Sequence, residues 1–141
     1  SWRLCSTACD DADRNHDERH ADVLRIMSAL LQKMLRAREV RIVAGSPRKH
    51  TFIARRPTPI EREEKFRGDN PARGILSLVI GWEDVTEADL IPGGDPHPLP
   101  FDAEACAEWL SDRPDLFAAV VDGVVKAYDA YTQGLDDILG N

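Results

Sequence analysis

The chain is poor in cysteine, has no long apolar run and carries no surplus of basic charge. Each shortage excludes something. Cys5, Cys9 and Cys106 are its only three cysteines among 141 residues. An odd, sparse set of this kind does not make the disulfide framework of a small secreted domain. No apolar stretch approaches the ~20 residues a membrane-spanning helix needs, and no basic start, apolar block and small-residue cleavage site mark a secretory leader. Eighteen Lys and Arg stand against 25 Asp and Glu, for a formal charge of −7. That balance argues against general nucleic-acid binding, which needs a basic surface to neutralise phosphates. Familiar enzyme signatures are missing too: there is no G-x-S-x-G elbow, G-x-x-x-x-G-K-[ST] loop or G-x-G-x-x-G fingerprint. Hydrophobic residues make up 43% and aromatic ones 6%, composition and length suited to one soluble domain with a real core.

Two regions differ in character. Residues 1–26 form a polar tail that holds Cys5, Cys9 and the run Asp10 to His20, and the first methionine is Met27. Part of this stretch reads as upstream or appended sequence as readily as native chain, and residues 27–141 read as a single domain. The tail holds Cys5, Cys9, His16 and His20, a tetrahedral zinc inventory, but the spacing is too tight for a finger. His16-Asp17 also lacks the Glu that follows the first His in a metalloprotease helix. No metal or other cofactor is expected.

Within the domain, Val23, Leu24, Met27, Leu30, Leu31, Met34 and Leu35 recur at helical spacing, so about Asp17 to Arg38 is an amphipathic helix. Glu39 to Val43 and His50 to Arg56 flank Gly45-Ser46-Pro47, the pattern of a β-hairpin. Arg41, Arg48, Lys49, His50, Arg55 and Arg56 make this region locally basic, as expected for a hairpin with one solvated face. Thr58-Pro59-Ile60-Glu61 is a capping box that opens a short helix, stopped by Gly68-Asp69-Asn70-Pro71. Ile75 to Trp82 reads as a third strand, and Glu83 to Pro100 as a long loop. Asp102 caps a helix over Ala103 to Ser111, with Cys106, Trp109 and Leu110 inward. A last helix from Pro114 carries Phe117, Val121, Val124, Tyr128, Tyr131, Leu135 and Ile138 as a seam. The expected fold is α+β: a small antiparallel sheet, hairpin plus third strand, packed with an N-terminal helix and two C-terminal helices.

The motifs Phe52 to Thr58, Gly81-Trp82-Glu83-Asp84-Val85 and Leu99-Pro100-Phe101, ahead of the Pro114 helix, resemble those of tail assembly chaperones of long-tailed bacteriophages and prophages. In that family a strand precedes a W-x-x-V segment, then an L-P-F lead-in to C-terminal helices. The stretch between Val85 and Leu99 is longer here. The resemblance implies a non-enzymatic protein of the bacterial host's cytoplasm. Its partner would be the tape measure protein, with the tail tube protein a second one, and neither nucleic acid nor membrane is involved. Oligomeric state is left open. Trp82, Val85, Leu99 and Phe101, with Trp109 on the first C-terminal helix, are the residues expected to meet the partner. The alternative is a phage structural component such as a tail terminator or head-tail connector.

Overall fold

The structure is a computed structural model that describes residues 28–140. Contacts divide the chain into two units, Ser1–Ala37 and Arg38–Asn141. In the first unit, residues 28–37 are helical (α1), with Leu30, Leu31 and Met34 exposed. The expected beginning of that helix, and the Cys5, Cys9, His16 and His20 set, lie outside the described residues.

The second unit follows the α+β expectation. Strands β1 (Glu39–Ala44), β2 (His50–Arg55) and β3 (Val79–Glu83) form one antiparallel sheet in the order β1-β2-β3. Val40 pairs with Ala54, Ile42 with Phe52 and Ala44 with His50, so the hairpin registers its apolar faces together. A register shift at Ile53/Ala54 leaves Ile80 as an extra residue on β3. Because strand side chains alternate, Ile42, Ala44, His50, Phe52, Ala54 and Trp82 share one buried face. Arg41, Val43, Ile80 and Glu83 remain exposed. Arg41 and Glu83 form an ion pair from β1 to β3.

Helices α2 (Pro59–Arg67), α3 (Pro71–Leu76), α4 (Glu87–Leu90), α5 (Ala103–Ser111) and α6 (Pro114–Ile138) complete the unit. The expected capping box is present on α2, with Thr58 Oγ1 accepting from Glu61 N at 3.1 Å and Thr58 N donating to Glu61 Oε1 at 3.2 Å. Helices α5 and α6 pack on the sheet's buried face, joined in one core by Phe52, Leu78, Cys106, Leu110, Leu116 and Val120. Among the described residues no helix is long and apolar enough to cross a membrane.

Three expectations are corrected. Ile75 to Trp82 is not one strand: Asn70 Oδ1 accepts from Arg73 N at 3.1 Å, Pro71 occupies the first turn, and α3 runs to Leu76 before β3 begins at Val79. Asn-Pro is a helix start as well as a helix stop, and the start prevails here. Glu83 to Pro100 is not an open loop: it contains α4, and a Thr86–Pro98 bridge with a 2.9 Å bond from Leu99 N to Val85 O closes it. On α6, the fully buried line is Leu116, Val120 and Val124, while Tyr131 and Ile138 are 39% and 81% exposed. A six-residue strand spans roughly 20 Å and a 25-residue helix roughly 37 Å, so the helix outruns the sheet that would cover its seam.

Helix and sheet approach closely where α6 lacks a side chain. A Cβ on Gly123 would stand 2.6 Å from Ile42 Cγ1, whereas one on Gly134 would have nothing within 4 Å. Gly123→Val is expected to lower stability by about 1–3 kcal/mol through overpacking. Gly134→Ala should raise it by about 0.5–1 kcal/mol, because a helical glycine is conformationally costly. Urea midpoints of the two variants check the contrast.

Candidate functional site

Trp82 lies at the end of β3 because its strand position faces inward, and its indole then needs an acceptor in a dry place. Leu99 supplies it: Trp82 Nε1 donates to Leu99 O at 2.9 Å. This bond fastens the Leu99-Pro100-Phe101 turn to the sheet. Phe101 meets Trp82 edge-on, with ring centroids 5.2 Å apart and planes at 77°. Trp109 on α5 stands perpendicular to Trp82 at 6.2 Å, and reaches Phe52 at 5.7 Å and His50 at 5.1 Å. Val85, 1% exposed, lies directly behind the turn that Leu99 closes. Thus the fold does bring Trp82, Val85, Leu99, Phe101 and Trp109 together. It does so mostly in the interior, with Trp82 and Trp109 8% and 7% exposed and Leu99 and Phe101 partly buried.

A polar latch, not anticipated from the sequence, holds the neighbouring loop. His50 is 3% exposed, and its Nδ1–H donates to the Asp84 carbonyl at 2.9 Å. Arg48 Nη2 donates to the same carbonyl at 2.9 Å, and Arg48 Nε donates to the Asp89 carboxylate at 2.9 and 3.1 Å. Thr86 N and Thr86 Oγ1 donate to Asp89 Oδ2 at 2.8 and 2.9 Å. His50 Nε2 is 3.9 Å from Asp89 Oδ1. Burial alone would raise the Asp89 carboxyl, but the bonds from Thr86 and Arg48, with His50 nearby, outweigh it and hold the group below the usual carboxylate range. Asp84 takes a left-handed backbone, φ 60°, which turns its carbonyl toward both donors. The latch ties the β1–β2 turn to the start of α4. A hint was available in Thr86-x-x-Asp89, a shortened version of the capping pattern that marks α2.

The basic residues of the hairpin region are shared out. Arg48 and His50 enter the latch, Arg41 meets Glu83, and the Arg56 guanidinium stacks 3.7 Å from the Tyr131 ring. Desolvation, with Arg38 nearby, lowers the Arg56 pKa despite the opposing pull of Tyr131.

Beside the aromatic cluster, α4 and α5 enclose an open groove of about 560 Å³. Leu90, Ile91, Ala105 and Trp109 give it apolar walls, and Glu108 and Asp112 form an acidic rim. Ile91 is 56% exposed. The groove's near wall is α4, the element the latch holds in place. Chemically the arrangement offers a groove of mixed lining, apolar at Leu90, Ile91, Ala105 and Trp109 and polar at Glu108, Ser111 and Asp112, with charge of one sign. Cys106, 2% exposed, has its thiol pushed up by burial to about 12, so at neutral pH it is not a nucleophile. Among the described residues no group of three or more His, Cys, Asp or Glu side chains could hold a metal ion. Compared with protein-family models, curated proteins and solved structures, the chain finds no match.

Trp82→Phe keeps the ring but leaves the Leu99 carbonyl unpaired, and is expected to cost about 1–3 kcal/mol. Trp82→Ala should cost about 3–5 kcal/mol, both read from urea midpoints. Asp89→Asn should destabilise by about 1.5–3 kcal/mol at neutral pH. A carboxyl whose folded pKa is depressed contributes stability above its unfolded pKa of about 3.9, and that contribution fades as pH falls through the folded value. The gap between native and Asp89→Asn proteins should therefore be constant from neutral pH to about pH 5 and close below about pH 4.

Proposed function

We propose that this chain is a non-catalytic, protein-binding domain that serves as a tail assembly chaperone of a long-tailed bacteriophage or prophage, holding the tape measure protein in the bacterial cytoplasm. The observation that carries this reading is the groove between α4 and α5, open to solvent, with apolar walls and an acidic rim. An exposed apolar slot rimmed by polar groups is the form a protein-docking surface takes. The strand, W-x-x-V and L-P-F motifs add the family resemblance, and the net charge of −7 suits a protein that must stay soluble while it holds an aggregation-prone client.

In this reading the five residues expected at the partner divide their labour. Trp109, largely buried, forms the floor of the groove beside the exposed Ile91. Trp82, Val85, Leu99 and Phe101 fix the turn and α5 behind it, so the slot is formed before the client arrives. A preformed slot avoids the entropy cost of ordering a surface on binding. Cys106 and His50 are withheld from chemistry, one by burial and the other by its bond to Asp84 O.

The tape measure protein of the same gene cluster should be insoluble when expressed alone and soluble when co-expressed with this chain. Ile91→Arg, a change at an exposed position, should abolish the rescue without altering the chain's own urea midpoint. A client that stays insoluble in both cases, with the chain recovered as a stoichiometric ring in finished particles, would replace the chaperone with the tail-terminator or connector alternative.

A further inference from the structure

The client-binding reading leaves the chemistry of the docked segment unspecified, and the walls of the groove narrow it. Glu104 and Glu108 on α5 and Asp112, which caps its C-terminus, stand at successive fourth positions, all exposed. Like charges at this spacing cost an isolated helix a few tenths of a kcal/mol per pair. Among the described residues no ion pair engages any of the three: the nearby Arg113 is held by Asp115, with Nε–Oδ1 and Nη2–Oδ2 at 3.0 and 2.9 Å. The ridge lies between two grooves, each with apolar side chains in its lining. On one side lies the α4–α5 slot, and on the other a second groove where Leu76 and Val79 face Ala103 and Ala107, with Arg73 on its far wall.

Resting on the reading above, we infer that the segment docked here is an amphipathic helix whose apolar stripe is flanked by Lys or Arg. Its bulky side chains enter the slot against Ile91 and Trp109, and its cations lie along the Glu104, Glu108 and Asp112 ridge. A purely apolar segment would leave the Glu108 and Asp112 carboxylates at the slot uncompensated, and an acidic one would add repulsion to that penalty. A helix fits better than an extended strand, because the slot runs between two helices and offers apolar side chains with no free strand edge. Two contributions are thus predicted to operate together: apolar contact that resists salt, and charge pairing at the rim that salt weakens beyond a Debye length of about 8 Å.

The test uses two synthetic helical peptides of about 18 residues, one built of Leu and Lys, the other of Leu with Glu in place of Lys. Binding to the full chain is followed by fluorescence anisotropy near physiological salt. The Leu/Lys peptide should bind and the Leu/Glu peptide should not. Ile91→Ser and Glu108→Lys should each weaken binding by about tenfold or more, whereas the Asp136→Lys, Asp137→Lys double variant, a larger charge change far along α6, should leave it within about twofold. Equal weakening by Glu108→Lys and the α6 variant would show that only the chain's overall acidity attracts the peptide, and unchanged binding by Ile91→Ser would remove the slot. Either result overturns the inference. Peptide binding as expected with a tape measure protein that stays insoluble would instead remove the client and keep the site. Rescue of the tape measure protein by Glu108→Lys as fully as by the native chain would keep the client and remove the basic flank.

Discussion

A three-stranded sheet covered on one side has a core only one side chain deep, and the packing of Trp109 is what closes it. The indole touches residues from all three layers of the problem: Phe52 and His50 on the central strand, Trp82 on the edge strand, and the groove outside. Without it α5 would have little to hold it on the sheet, since its other fully buried contacts are Cys106 and Leu110. The aromatic contacts are each worth about 0.5–1.5 kcal/mol beyond the area they bury, and they also set angles. Perpendicular rings at 6.2 and 5.2 Å fix the rotation of α5 and of the Phe101 turn relative to β3.

Rigid placement of the groove follows from two fastenings of different chemistry. On one wall, the Trp82 indole holds the Leu99 carbonyl and so the lead-in to α5. On the other, Arg48, His50 and Thr86 hold Asp84 and Asp89 and so the start of α4. The second is a polar network anchored on the buried His50 and reaching the surface at Arg48. Its geometry is directional and its members are mutually satisfied, and a network of that kind specifies one arrangement of the loop where apolar packing alone would permit several. A loop can be long when its ends are tied this way, because the ordering cost is met at a few strong bonds.

Most of the architecture was legible because it rests on local signals. The hairpin was visible in two β-branched runs about a Gly-Ser-Pro turn, α2 in its Thr58/Glu61 box, and α5 in the Asp102 cap that accepts from Ala105 N. What escaped was decided by contacts between distant residues or by competition between two local signals. Asn70-Pro71 can end one helix or begin the next, and the close approach of Gly74 to the Lys65 carbonyl, where a Cβ would sit 2.5 Å away, fits the second outcome by letting α3 fold back on α2. The α6 seam was expected at Phe117 and Val121 where Leu116 and Val120 are buried, and meets the buried line at Val124, because a coiled-coil spacing was assumed where the partner is a short sheet. Apart from Thr86 and Asp89, the latch joins residues 34 to 41 positions apart, and no local pattern announces those pairings. The groove escaped for the same reason: Ile91 and Glu108 are unremarkable in sequence until α4 and α5 stand side by side.

The motif residues and the contact surface separate along the line between interior and exterior. A tryptophan that must donate a hydrogen bond from inside a core tolerates few replacements, so a W-x-x-V and L-P-F pattern can be retained for folding reasons alone. Residues such as Ile91 and Glu108, exposed and free of internal partners among the described residues, are under no comparable structural demand. Under the proposed function, partner specificity belongs to the α4–α5 rim, where one substitution alters charge or shape without touching the core, and not to the aromatic cluster that makes the rim possible.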